Sequence, residues 1–223
     1  MVRGVTAVVT NHNYAHYLPE CIESALRYCE EVLVYDDGST DPSLALLEDY
    51  PVRVIHRDDP SGDPVWGSNL GIEQATCSHL VFLDADNYLL RRPPQEDYDY
   101  LFADIQVINP EGVNTKVWRY AGWPLTAEGC WEQFLRQRNM PFPWGGVWRT
   151  AWLHDKRWRN FDDTILAADF RTALDWCKAR PTLGHSDAPF LAFRRHPAQQ
   201  TAVTEGRQAM YDEVTRIAET ESM

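Results

Sequence analysis

Short apolar runs and helical repeats alternate through the first 110 residues of this chain. "VTAVVT" (5–10) is β-branched and predicts a buried strand. Leu18, Ile22, Ala25, Leu26 and Cys29 then recur at three- and four-residue steps, which gives one apolar helix face. "EVLVY" (31–35) predicts a second strand. It runs into "DDGSTDP", where Asp41 is placed to cap, and Pro42 to begin, a helix over "SLALLED". "VRVIH" (52–56) predicts a third strand, "SNLGIEQAT" (68–76) a short helix and "HLVFLDAD" (79–86) a fourth strand. This alternation predicts an α/β fold: a single Rossmann-like, mostly parallel twisted sheet flanked by helices. In such sheets ligands gather at the carboxyl ends of the strands. Three of the four predicted strands end in polar residues: Thr10-Asn11, Asp36-Asp37 and Asp84-Ala85-Asp86.

The second half reads differently. "DYLFADIQVI" (99–108) and "TKVWRYAG" (115–122) predict strands. "TAEGCWEQFLRQRN" (126–139) predicts a helix with Trp131, Phe134, Leu135 and Arg138 on one face. "NFDDTILAADFRTALDWCKARP" (160–181) carries a further amphipathic helix, "PFLAFRRHPAQQTA" (189–202) a late strand, and Gln208 to Thr220 a packing helix.

Composition adds a boundary within one continuous domain. The chain is 44% hydrophobic and 24% charged, as an ordinary globular protein is. Residues 1–110 hold 6 Lys and Arg against 19 Asp and Glu, whereas residues 111–223 hold 15 against 14 and eight of the nine tryptophans. Different ligands for the two halves follow. A net charge of -12 weighs against broad capture of a nucleic-acid backbone. Five scattered cysteines, with no C-x-x-C pair, read as reduced packing residues. With neither a signal-peptide pattern nor an apolar run of bilayer length, the expectation is a cytoplasmic protein without a transmembrane segment.

The candidate chemistry begins at "HLVFLDADN". Positions two apart in an extended segment face the same side, so Asp84 and Asp86 can aim two carboxylates at one point. Like charges so placed call for a cation, and an oxygen set with open positions suits Mn2+ or Mg2+. The plainer alternative has Asp86 capping the next turn and Asp84 exposed to water.

In order, "AVVTNHNYAHYLPECIESAL", "VLVYDDGSTD" and "NLGIEQATCSHLVFLDADN" resemble the family 2 glycosyltransferases, which have the GT-A fold. The resemblance implies a smaller acceptor-side subregion, with a nucleotide-sugar-binding half over residues 1–110 and an acceptor-binding half over 111–223. It implies nucleotide contacts from Thr10, Asn11, Asn13, Asp36, Asp37, Asn69, Asp84 and Ala85, and a metal held by Asp86 and His196, the latter in "FRRHP". Many members have an arginine where this chain has Ser68, and Arg57 and Trp66 are the substitutes on offer. The family's Glu-Asp pair, whose second residue is the catalytic base, matches Ala168-Asp169; Asp162 and Asp163 are runners-up. Trp144, Gly145, Gly146 and Trp148 read as an acceptor or sugar platform, and Arg194 or Arg195 as a phosphate or sugar contact. The implied reaction is inverting transfer from a nucleoside-diphosphate sugar, a UDP-sugar favoured, to a glycan or other hydroxyl acceptor.

Two alternatives stay open. The acceptor could be a hydroxylated base in DNA, to which Lys156, Arg157, Trp158 and Arg159 would lend charge. Ala168 also permits a non-catalytic module that only binds sugar nucleotides. A nucleotidyltransferase would want a glycine- and arginine-rich loop after the first strand, and "TNHNYAH" supplies neither.

Overall fold

The structure, a computed structural model, describes residues 1–60, 65–137, 145–154, 156, 168–197, 199 and 216. Strands β1 (Val2–Asn11), β2 (Glu31–Asp37), β3 (Arg53–Arg57) and β4 (Cys77–Asp84) form where the apolar runs predict them, joined by α1 (Leu18–Tyr28), α2 (Ser43–Leu47) and α3 (Trp66–Gln74). After the two-residue β5 (Tyr88–Leu89) come β6 (Tyr100–Ala103), β7 (Ile105–Ile108), β8 (Asn114–Trp118), α4 (Ala127–Gln137), β9 (Gly146–Arg149) and α5 (Thr150–Leu153). The last elements are α6 (Ala168–Lys178), β10 (Leu183–Ser186) and β11 (Leu191–Arg194).

A seven-stranded sheet runs in the order β10-β6-β9-β4-β1-β2-β3, and β5-β11-β7-β8 make a second sheet. β1 pairs in parallel with β2 and β4, while β9 inserts antiparallel between β4 and β6. Strands from both halves of the sequence therefore share one sheet, and β4, which ends in Asp84, lies at its centre. Side-chain alternation sends Val8, Leu33, Tyr35, Leu80, Phe82, Tyr100 and Phe102 to one face, under Ala173, Leu174, Trp176 and Cys177 of α6. Val5, Ala7, Val9, Val32, Val34, Val81 and Leu83 pack on the other face against Leu18, Cys21, Ile22 and Ala25 of α1.

One predicted strand is split. "DYLFADIQVI" breaks at Asp104, with β6 in the large sheet and β7 in the small one. The Asp104 N–H donates to the Ser186 carbonyl, and its carboxylate takes the Tyr120 N–H at 2.9 Å. The apolar run continues through the break, so periodicity alone leaves no mark of it. The helix of 160–181 is described from Ala168 onward, and the predicted tail helix lies outside the described residues apart from Arg216, which is helical.

Gly71 shows how closely α3 lies on the sheet: a Cβ there would meet Val8 Cγ1 at 2.3 Å. Gly71→Ala is expected to destabilise by about 1–3 kcal/mol through overpacking. A urea unfolding series would read this as a lower midpoint at unchanged slope.

Candidate active site

β1, β2 and β4 end side by side, and their last residues build the acidic edge. Thr10 pairs in register with Asp84 on one side and Tyr35 on the other, and its hydroxyl lies 3.1 Å from Asp84 Oδ1. Asn11 and Asp36, also in register, continue the opposite face, where Asn11 Nδ2 donates to Asp36 Oδ2 at 2.6 Å. The Asp36 carboxylate is fully buried and also takes the N–H and hydroxyl of Ser39, with His56 Nδ1 at 3.2 Å. These partners offset its burial and lock the β2–α2 loop.

Asn13, in the left-handed region at φ 60°, receives the backbone N–H groups of Thr40 and Asp41 on its Oδ1. Asp41 receives those of Ala15 and Ser43. Asp37, on the same sheet face as Thr10 and Asp84, has Arg57 Nε at 3.4 Å, and the Arg57 guanidinium lies 5.1 Å from the Trp66 ring centroid. The two candidate substitutes for the missing arginine thus stand together beside Asp37. Ser68 is buried, and Asn69 lies in the first turn of α3, its N–H on the Val65 carbonyl.

β4 ends at Asp84, two residues before the end of the predicted strand, and the chain turns sharply there, so Asp86 stands in a turn and not two places along an extended segment. Ala85 is fully buried, its N–H on the Thr10 carbonyl, and the Asn87 N–H returns to the Asp84 carbonyl. Asp86 is only 4% exposed. Its Oδ2 has His196 Nε2 at 3.0 Å and Gln199 Nε2 at 2.9 Å, whereas Oδ1 is buried without a hydrogen-bond partner among the described residues. His196, 110 positions away in sequence, is the residue the D-x-D reading pairs with Asp86. Gln199 is a neighbour that the sequence reading did not single out. Tyr14 lies against the His196 ring at 5.6 Å. Burial, reinforced by the charges of Asp86 and Asp84, pushes its hydroxyl up to about 12, so it stays a protonated donor at neutral pH.

Arg194 holds this corner together. It is 2% exposed, donating from Nε to the Asp86 carbonyl at 2.8 Å and from Nη1 to the Pro110 carbonyl at 2.7 Å. Nη2 bonds Glu20, the backbone N–H bonds Asn87 Oδ1, and the guanidinium lies 4.5 Å from the Tyr17 ring centroid. Arg194 therefore acts as an internal clamp joining α1, the D-x-D turn and the β7–β8 loop, and Arg195 is the exposed one of the pair. Arg194→Ala is expected to lower stability by at least about 2 kcal/mol, because it strands several buried acceptors. Chemical denaturation of the variant checks this.

Trp148 sits at the centre of the core, stacked on Tyr100 at 4.0 Å and edge-on to Trp176 at 4.6 Å. Its ring faces are covered by protein. Gly146 has no room for a side chain, since a Cβ would lie 2.2 Å from the Tyr100 ring, and Gly145 takes φ 75° at the sheet's carboxyl edge. Trp144, Asp162, Asp163, Arg157, Trp158 and Arg159 lie outside the described residues, while Lys156 stacks on Trp152. Asp169 is the second residue of α6. Because α6 leads into β10, which runs parallel to β4, its first turn lies toward the carboxyl edge.

A second polar group stands on that edge. Asp104, His185 and Asp187 offer ligand atoms within 4.8 Å of one another, which could hold a metal ion. His185 Nε2 lies 3.1 Å from Asp104 Oδ1, and Nδ1 lies 3.5 Å from Asp187 Oδ1. Sequence reading missed it because 81 residues separate the buried aspartate from its histidine.

A crystal structure of Staphylococcus aureus TarS 1–349 with UDP-GlcNAc matches this fold at a TM-score of 0.71 and 19% identity, over 97% of this chain and 65% of that one. The same protein with UDP matches at 0.70 and 18%, over 100% and 67%. The fold is GT-A. Residues 6–116 match the model for glycosyl transferase family 2, and through them the chain belongs to that family. Glycosyltransferase GlyG of Streptococcus pneumoniae serotype 4 is 32% identical over 91 residues, which are 37% of this chain and 30% of GlyG. The poly(ribitol-phosphate) beta-N-acetylglucosaminyltransferase TarS of Staphylococcus aureus is 26% identical over 121 residues, 49% of this chain and 21% of TarS. Each matched stretch is thus under a third of the relative's length. Among the described residues, no helix is long and apolar enough to cross a membrane.

Proposed function

We propose that the chain transfers a sugar, with inversion, from a UDP-sugar to a hydroxyl of a glycan-type acceptor. The observation that carries this is the turn after β4, where Asp84 ends the central strand, Asp86 stands buried in the turn beyond it and His196 closes on Asp86. Thr10 and Asp37, with Arg57 and Trp66 beside it, form the wall on which the nucleotide would lie. A buried carboxylate oxygen without a partner among the described residues, next to an imidazole, fits a hard divalent cation such as Mn2+ or Mg2+ bound by Asp86 and His196. Such an ion, when bound, would neutralise charge on the departing diphosphate. Asp169 takes the proton from the acceptor hydroxyl as its oxygen attacks the anomeric carbon, and the bond to the diphosphate breaks on the opposite side. Tyr14, kept protonated, can donate a hydrogen bond to a diphosphate oxygen.

The names of TarS and of a Staphylococcus epidermidis teichoic acid poly(glycerol phosphate) polymerase, 31% identical over 94 residues, favour a glycan-type hydroxyl over a base in DNA. The test is a panel of nucleotide sugars, each read by thermal shift and by metal-dependent release of the nucleoside diphosphate. Binding raises the unfolding midpoint, because the ligand favours the native state. A shift without release would leave a binding module, and neither would overturn the reading.

A further inference from the structure

At the carboxyl edge of β6 and β10 stands a row of groups that the donor-side chemistry leaves without a role. Leu80 pairs with Trp148, and Trp148 with Tyr100, so β4 and β6 run parallel on the two sides of β9 with Leu80 and Tyr100 level. Four residues further along each strand, Asp84 and Asp104 stand level too. Both continue the face formed by Leu80, Phe82, Tyr100 and Phe102, the face covered by α6. Two strand spacings separate them, about 10 Å. Asp187 stands level with Asp104 one strand further out, since Tyr100 pairs with Leu183.

The chemistry of this row is specific. Asp104 is 1% exposed, and its Oδ1 receives the Tyr120 N–H at 2.9 Å and faces His185 Nε2 at 3.1 Å. The buried carboxylate takes an N–H from Nε2 and so orients the ring, as carboxylates orient imidazoles in catalytic and metal sites. In the neutral ring Nδ1 is then an acceptor. The atom it faces, Asp187 Oδ1 at 3.5 Å, is an acceptor as well. With the ring neutral, two acceptors so close call for a donor between or beside them, and an O–H fits. Asp187 is 81% exposed at its side chain, and Arg119, whose Nη1 lies 3.5 Å from Asp104 Oδ2, is 70% exposed and offers donors to hydroxyl oxygens.

We propose that His185, oriented by Asp104, forms with Asp187 and Arg119 a subsite that recognises the hydroxyl groups of a polyhydroxylated acceptor, a sugar or a polyol. The proposal rests on the glycosyl-transfer reading for its purpose, yet its test does not depend on turnover. Protein labelled at histidine with 13C and 15N is titrated with ribitol and with N-acetylglucosamine, up to roughly 100 mM to reach affinities weaker than about 1 mM. His185→Gln assigns the His185 signals by their disappearance. The expected result is a saturable shift of the His185 ring with the Nε2–H tautomer retained, weakened about tenfold in Asp187→Asn, the loss of one good hydrogen bond.

A merely structural His185 would give no saturable shift with either compound, which overturns the proposal. So would a ring protonated on both nitrogens and insensitive to sugar, an imidazolium bridging the two carboxylates. Broadening of His185 by Mn2+ alone, with no response to sugar, would assign a cation site and overturn it equally. On the same sample, the His196 signals titrated with Mg2+ and UDP report the donor site. Their failure to respond strikes the proposed function and leaves the His185 result standing.

Discussion

Asp86→Ala is expected to weaken metal-dependent UDP binding by about tenfold to a hundredfold, the range for losing a group that holds or orients a metal. The variant should remain folded. Removing the carboxylate leaves His196 Nε2 and Gln199 Nε2 without their shared acceptor, a cost of about 1–3 kcal/mol. It also removes Oδ1, which has no partner among the described residues and whose burial is then unfavourable. Titration calorimetry with UDP in Mn2+ and in EDTA, alongside a thermal melt, separates the two effects. Should the variant bind UDP as the parent does, and EDTA leave the parent unchanged, the metal assignment fails.

Asp169→Asn is the second large effect. It keeps a hydrogen-bonding group at the start of α6 but removes the proton acceptor, so donor affinity should survive while transfer falls by ~10²-fold or more. A first-turn aspartate that serves the helix alone contributes only ~0.3–1 kcal/mol through the dipole, and its loss would lower the melting midpoint slightly with turnover intact. Donor dissociation constant, transfer rate and midpoint, measured on the two proteins together, decide between these. Near-parental transfer would move attention to Asp162 and Asp163.

These two predictions draw on different information. Asp86 and His196 were both named from sequence, and the fold brings them to 3.0 Å. Asp36 and Asp37 look alike as a pair in sequence. The fold separates them, with Asp36 fully buried among Asn11, Ser39 and His56, and Asp37 on the opposite face beside Arg57. Adjacent residues of a strand face opposite ways, so two aspartates in succession cannot share one role.

Local pattern was enough for the alternation of strands and helices in residues 1–84, because most elements there carry a period or a stop signal of their own: apolar runs ending at Asn11, Asp37 and Asp84, and the helix face from Leu18 to Cys29. It was enough as well for the acidic strand ends, since carboxylates at the carboxyl edge of a parallel sheet are visible as residue types. Tertiary structure alone decided that the apolar run 99–108 breaks at Asp104 into two sheets and that Trp148 is core rather than platform. It also decided that Arg194 is a clamp, and that His185 meets a buried aspartate 81 residues earlier. In each of these the deciding partner is far away in sequence. A buried polar group shows its meaning only when the donor or acceptor that compensates its burial has been brought to it.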